Sequence, residues 1–110
     1  MESIAAILEK PTSNGKFTES KPATICEIEV EEPTGEEVLV EIVAGRLCHT
    51  DVAMALGNIN EQYPLVMGHE GAGIVRQVGD SVTTLSPGEH VGLVRPACGI
   101  CEDWRQRRAN

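Results

Sequence analysis

The sequence predicts a mainly β fold, a sandwich or barrel built from short strands. Three observations point there. Apolar residues alternate with polar ones at a period of two in several segments, turn signals separate those segments at regular intervals, and no segment alternates between strand and helix in the way a parallel sheet requires. The chain has 110 residues, enough for one domain. Hydrophobic residues make up 41%, yet Phe17, Tyr63 and Trp104 are the only aromatics, so the core must come from Ile, Val, Leu, Ala and Met.

The first strand is expected over Ser3 to Glu9, an apolar stretch ended by Lys10-Pro11 and the turn-prone Ser13-Asn14-Gly15. Ile25 to Glu31 follows, where Cys26, Ile28 and Val30 interleave with Glu27, Glu29 and Glu31, leaving Ile25 on the polar face. Pro33-Thr34-Gly35 is a turn. Glu37 to Ala44 is again strand-like, with Val38, Val40, Ile42 and Ala44 assigned to one face. Cys48 to Leu56 then suits a short helix, stopped by Gly57. Asn58 to Tyr63 reads as a loop, and the segment from Gly68 to Gly79 becomes strand-like through Ile74, Val75 and Val78. Ser86-Pro87-Gly88 turns the chain into a last strand over His90 to Val94. Gly71-Ala72-Gly73 lacks the third glycine of a dinucleotide-binding loop and fits a close backbone approach inside a strand.

The bulk properties exclude several classes. A net charge of −8 argues against a nucleic-acid surface. No run approaches the ~20 apolar residues of a membrane span. The first ten residues lack the basic segment of a secretory signal, which implies a cytoplasmic chain whose four cysteines are reduced. Arg105, Arg107 and Arg108 fall within the last six positions and read as a solvated terminal stretch.

Three clusters carry chemistry: Cys48-His49-Thr50-Asp51, Gly68-His69-Glu70-Gly71 and Cys98-Gly99-Ile100-Cys101. Thiolate, imidazole and carboxylate are the ligands zinc prefers, and Cys48, His69 and Glu70 would supply such a set if the fold brings them together. Spacing alone leaves the ordinary alternatives open, a buried cysteine and a His-Glu turn.

The pieces "GRLCHTD", "YPLVMGHEGAGIVRQVGDSVTTLSPGEHV" and "CGIC", in this order, resemble the medium-chain, zinc-dependent alcohol dehydrogenases. The resemblance implies a GroES-like, partly open barrel spanning 1–110, with 98–110 as a remnant of a structural zinc lobe and the cofactor domain absent. It implies that Cys48 and His69 are catalytic zinc ligands and that Glu70 is the neighbouring carboxylate able to approach the metal. Thr50 would hydrogen-bond the alcohol, Asp51 would orient a histidine ligand, and His49 would contact the cofactor phosphates. The reaction implied is oxidation of a small alcohol to an aldehyde or ketone: zinc acts as a Lewis acid while hydride leaves to NAD or NADP.

Departures from the family pattern limit these expectations. The family's remaining catalytic ligand lies beyond residue 110, and Ala53 stands where many relatives carry a histidine of the proton relay. Cys98 and Cys101 match two of four structural zinc cysteines, but Trp104 holds the third position, and an indole offers no lone pair to a metal. The expectation is that no structural zinc binds there. Without a cofactor domain the chain is expected to bind no NAD or NADP and to be inactive alone. Two alternative functions follow: a stand-alone interaction module, self-associating through the exposed strand edges of an unclosed barrel, and a small metal or thiol-redox protein using Cys98 and Cys101.

Overall fold

The computed structural model describes residues 1–59 and 62–94. Cys98, Cys101, Trp104 and the terminal arginines lie outside the described residues. The elements run β1 (Glu2–Leu8), α1 (Phe17–Ser20), β2 (Ala23–Glu29), β3 (Val38–Arg46), α2 (His49–Ala55), β4 (Leu65–Val66), β5 (Glu70–Val78) and β6 (His90–Gly92). They form two three-stranded sheets, ordered β2-β1-β4 and β3-β5-β6, in which every pairing is antiparallel. Among the described residues no strand pairs one sheet with the other, so the barrel is open, as expected. No helix among them is long and apolar enough to cross a membrane.

In the first sheet β1 is the central strand. It pairs along its whole length with β2, from Glu2 opposite Glu29 to Leu8 opposite Ala23, and its last two residues also pair with β4. The amino terminus closes the far end by contacting Glu29 and donating to the Val30 carbonyl at 3.0 Å. As an edge strand, β2 stays wet on both faces: only Ile28 is half-buried, and Ile25 is 70% exposed, on the polar face as its sequence position implies.

In the second sheet β5 is central, and the glycines of Gly71-Ala72-Gly73 do what the sequence suggests. A Cβ on Gly73 would lie 2.2 Å from the Glu41 carbonyl oxygen and 2.7 Å from Val40 Cγ1, so only glycine lets β3 and β5 approach this closely. Here β3 departs from its simple alternation. The register shifts between Leu39 and Val40 and again between Ile42 and Ala44. A bulge inserts an unpaired residue and breaks the period of two. Val38, Leu39 and Val40 are consequently all half-buried, while Ile42 is 53% exposed rather than aligned with Val38 and Val40.

Two further elements differ from the sequence reading. One turn of helix, α1, forms within a stretch with no apolar periodicity to announce it. It ends at Lys21, whose left-handed φ of 43° lets its N–H donate to the Phe17 carbonyl. The last strand is shorter than expected, three residues rather than five, although Leu93 N–H still donates to the Gly71 carbonyl at 2.8 Å. The core is small. Among the described residues, Leu8, Ala55 and Val75 are the buried apolar side chains, and Asp51 is the buried charged one.

Candidate metal centre

Helix α2 presents the first part of the site, and its sequence explains why it starts where it does. Cys48 is the N-cap, extended at φ −121° and ψ 176°, with its sulfur accepting the Thr50 N–H at 3.3 Å. Asp51, three residues on, reaches back so that Oδ2 accepts the Cys48 N–H at 2.9 Å. These reciprocal bonds satisfy two of the donors a helix start leaves unpaired. The other end stops at Gly57, at a positive φ of 75°, with its N–H on the Met54 carbonyl. Tyr63 donates its hydroxyl to the same carbonyl at 2.8 Å, and Thr12 N–H reaches the Ala55 carbonyl at 2.7 Å. A short helix that could not persist alone is thereby fixed at both ends.

The second part comes from the entry to β5. Met67 N–H donates to the Ala6 carbonyl, tying the end of β4 to the first sheet, and Gly68 at φ 104° swings the chain into the second sheet. His69 lies at that swing. Antiparallel pairing brings the two parts together: Gly45 faces Gly71 and Arg46 faces Glu70, so Cys48 and His69 both lie just past the same end of this ladder.

The two side chains meet: Cys48 Sγ lies 3.0 Å from His69 Nε2. His69 Nδ1, on the opposite side of the ring, lies 3.5 Å from Asp51 Oδ1, within ion-pair range but outside hydrogen-bond geometry. The ligand atoms of Cys48, Asp51 and His69 all fall within 4.8 Å of one another. The group is graded in exposure: the Asp51 side chain is 2% exposed and the His69 side chain 39%. Asp51 Oδ1 is the one buried side-chain polar atom among the described residues without a hydrogen-bond partner.

This arrangement fits zinc. Its donors are a thiolate sulfur and an imidazole nitrogen, and at ordinary zinc–ligand lengths a tetrahedral pair would be about 3.5 Å apart, a small opening from the present contact. A histidine that binds metal through Nε2 carries its proton on Nδ1, and the unpartnered Asp51 oxygen is placed to accept it.

The remaining sequence-predicted residues fall around this group. Thr50 and His49 are exposed in the first turn of α2, next to Cys48. Glu70 does not join the cluster. Neighbouring strand residues point to opposite faces, and Glu70 Oε2 pairs with Arg46 Nε at 3.4 Å. Sequence reasoning gave Arg46 no role, because its partner becomes visible only once the β3–β5 register is known. It also missed an apolar cleft of about 550 Å³ behind Asp51, walled by Phe17, Leu47, Val52, Ala55 and Met67.

Comparison with known proteins gives concordant results. The alcohol dehydrogenase GroES-like domain model matches residues 34–110. The S-(hydroxymethyl)glutathione dehydrogenase of Escherichia coli O1:K1 / APEC is 43% identical over 96 residues, which is 86% of this chain and 26% of that protein. Among solved structures, an alcohol dehydrogenase zinc-binding domain protein from Burkholderia ambifaria superposes with a TM-score of 0.82 at 36% identity, covering 96% of this chain and 27% of that one. Benzyl alcohol dehydrogenase from Acinetobacter calcoaceticus gives 0.83 at 32% identity, covering 96% and 27%. The chain thus spans about a quarter of the length of each of these three proteins.

Proposed function

Since this chain belongs to the alcohol dehydrogenase GroES-like domain family, we propose that it supplies the zinc-holding amino-terminal part of an NAD(P)-dependent alcohol dehydrogenase. The observation that carries this reading is the 3.0 Å approach of Cys48 Sγ to His69 Nε2, backed by the buried Asp51. The net reaction of the whole enzyme is alcohol to aldehyde or ketone, with the hydroxyl proton lost to the site and a hydride passed to a nicotinamide. Zinc, when bound, supplies Lewis acidity to the substrate oxygen.

The chain's own residues have distinct tasks. Cys48 and His69 would each supply one ligand to the metal. Asp51 would accept a hydrogen bond from His69 Nδ1–H, fixing the ring's orientation and leaving the Nε2 lone pair for the metal. Thr50, exposed in the first turn of α2, would hydrogen-bond the alcohol and take its proton towards solvent. His49, exposed in the same turn, would meet the cofactor phosphates. Glu70 stays with Arg46 unless that ion pair opens. The described residues form two antiparallel sheets without a βαβ unit, so the nicotinamide must be held elsewhere. Hydride transfer depends on positioning, and the 110-residue chain alone is proposed to be inactive.

Cobalt(II) titration of the purified chain tests the site. A thiolate-to-cobalt absorption band that disappears in Cys48→Ser is the expected result. No band in the unsubstituted chain, or a band that survives Cys48→Ser, would overturn the assignment. Alcohol-dependent nicotinamide reduction by the chain alone, at rates of ordinary enzymes, would overturn its inactivity.

A further inference from the structure

Glu70 is the residue next to His69, and a carboxylate oxygen is a zinc ligand. The ligand atoms gathered within 4.8 Å are nonetheless those of Cys48, Asp51 and His69. Strand alternation starts Glu70 towards the other face, but direction alone is a loose restraint at this position. Glu70 is the first residue of β5, Gly68 turns the chain just before it at φ 104°, and the Glu70 side chain is 38% exposed. Its Cα lies one peptide, about 3.8 Å, from that of His69, so a change of rotamer is enough to bring the carboxylate towards the metal centre.

What holds the carboxylate is Arg46. The two residues stand opposite each other in the β3–β5 register, and Arg46 Nε lies 3.4 Å from Glu70 Oε2. Among the described residues Glu70 has no second ion-pair partner. The other four Lys and Arg of residues 1–94 are placed elsewhere. Arg76 pairs with Glu41, Lys16 pairs with Glu19, Lys21 lines the cleft behind Asp51, and Lys10 lies past the end of β1.

We propose that Arg46 is a positioning residue for the metal centre: its pairing with Glu70 keeps that carboxylate from becoming a ligand. A catalytic zinc needs a coordination position left open for substrate or water, and a free carboxylate one residue from a ligand would compete for it. This inference rests on the zinc reading of Cys48 and His69. The Arg46 side chain is 82% exposed, so water and salt screen the pair, and its hold on Glu70 amounts to a few-fold in an equilibrium. A restraint of that size biases which group occupies the metal and still lets the pair open.

Cobalt(II) bound to the purified 110-residue chain reads the effect, because its visible d–d bands depend on the number and kind of its ligands. Arg46→Gln should change the position or intensity of those bands and raise cobalt affinity by about two- to fivefold. Imidazole, added as a probe of the open position, should bind the cobalt of Arg46→Gln a few-fold more weakly. Arg46→Lys keeps the charge and should stay close to the unsubstituted chain. The double variant Arg46→Gln, Glu70→Gln should return the bands to those of the unsubstituted chain, because the released ligand is gone. Identical d–d bands in Arg46→Gln and the unsubstituted chain would overturn the proposal. So would a band change that persists in the double variant, the mark of a lost positive charge rather than a released Glu70. Absence of a thiolate band that depends on Cys48 would overturn the zinc reading and this inference with it, whereas a Cys48-dependent band with d–d bands indifferent to Arg46→Gln overturns this inference alone.

Discussion

Asp51 concentrates three functions in one carboxylate. Its Oδ2 caps α2 through the Cys48 N–H, its Oδ1 faces His69 Nδ1, and its burial at 2% removes water as an alternative partner for either. These functions separate by substitution. Asp51→Asn keeps an oxygen for the cap but loses the charge facing His69, so zinc affinity should fall by about 10–100-fold with little loss of helix. Asp51→Ala loses the cap as well, and should cost about 1 kcal/mol more in stability. Competition against a zinc-sensitive dye and urea denaturation, measured on both variants, check the two effects. Glu37 gives a different residue-scale prediction. The Thr34 backbone N–H and then its hydroxyl, at 2.9 and 3.2 Å, hold its carboxyl below the usual carboxylate value. A carboxyl lowered in the folded state stabilises at pH values above its unfolded pKa, and that contribution disappears as pH falls through the folded value. The urea midpoint should therefore decline on acidification below about pH 4.3, and less steeply in Glu37→Gln.

At the scale of elements, the β3–β5 pair is held to its register by glycine. Gly73→Ala would place a methyl against the Glu41 backbone and should destabilise the chain by about 1–3 kcal/mol. Gly92→Ala, with nothing within 4 Å, should be close to neutral, and thermal melts of the two variants make the comparison. These elements also show what the sequence made legible. Helix α2 could be read because Gly57 stops it and the polar Cys48-to-Asp51 start precedes its apolar residues. The close approach at Gly73 could be read because a glycine pair inside a strand has few other uses. The single turn α1 could not, since four residues carry no period and Lys16 makes no side-chain cap. Nor could the shifted face of β3, because a bulge is fixed by the partner strand rather than by local alternation. Within the site, residue types suggested a metal, and the family resemblance paired Cys48 with His69. The Arg46–Glu70 ion pair required the register itself.

At the scale of the whole molecule, the described residues bury few large side chains. Leu8 and Val75 are its fully buried large side chains among the described residues, and replacing a buried leucine with alanine typically costs about 2–5 kcal/mol. Against the stability of about 5–15 kcal/mol of ordinary domains, Leu8→Ala should remove a large share of the total. A urea midpoint well below that of the unsubstituted chain would show it. The ladder joining Arg46 to Glu70 has one more consequence. Slipping β3 by one residue against β5 would turn every following side chain to the opposite face, and Cys48 would no longer meet His69. Were the pair to hold zinc as proposed, metal uptake would double as a proofreading step: a molecule that captured the ion would have certified that its strands are in register, while a mispaired one would be left without it.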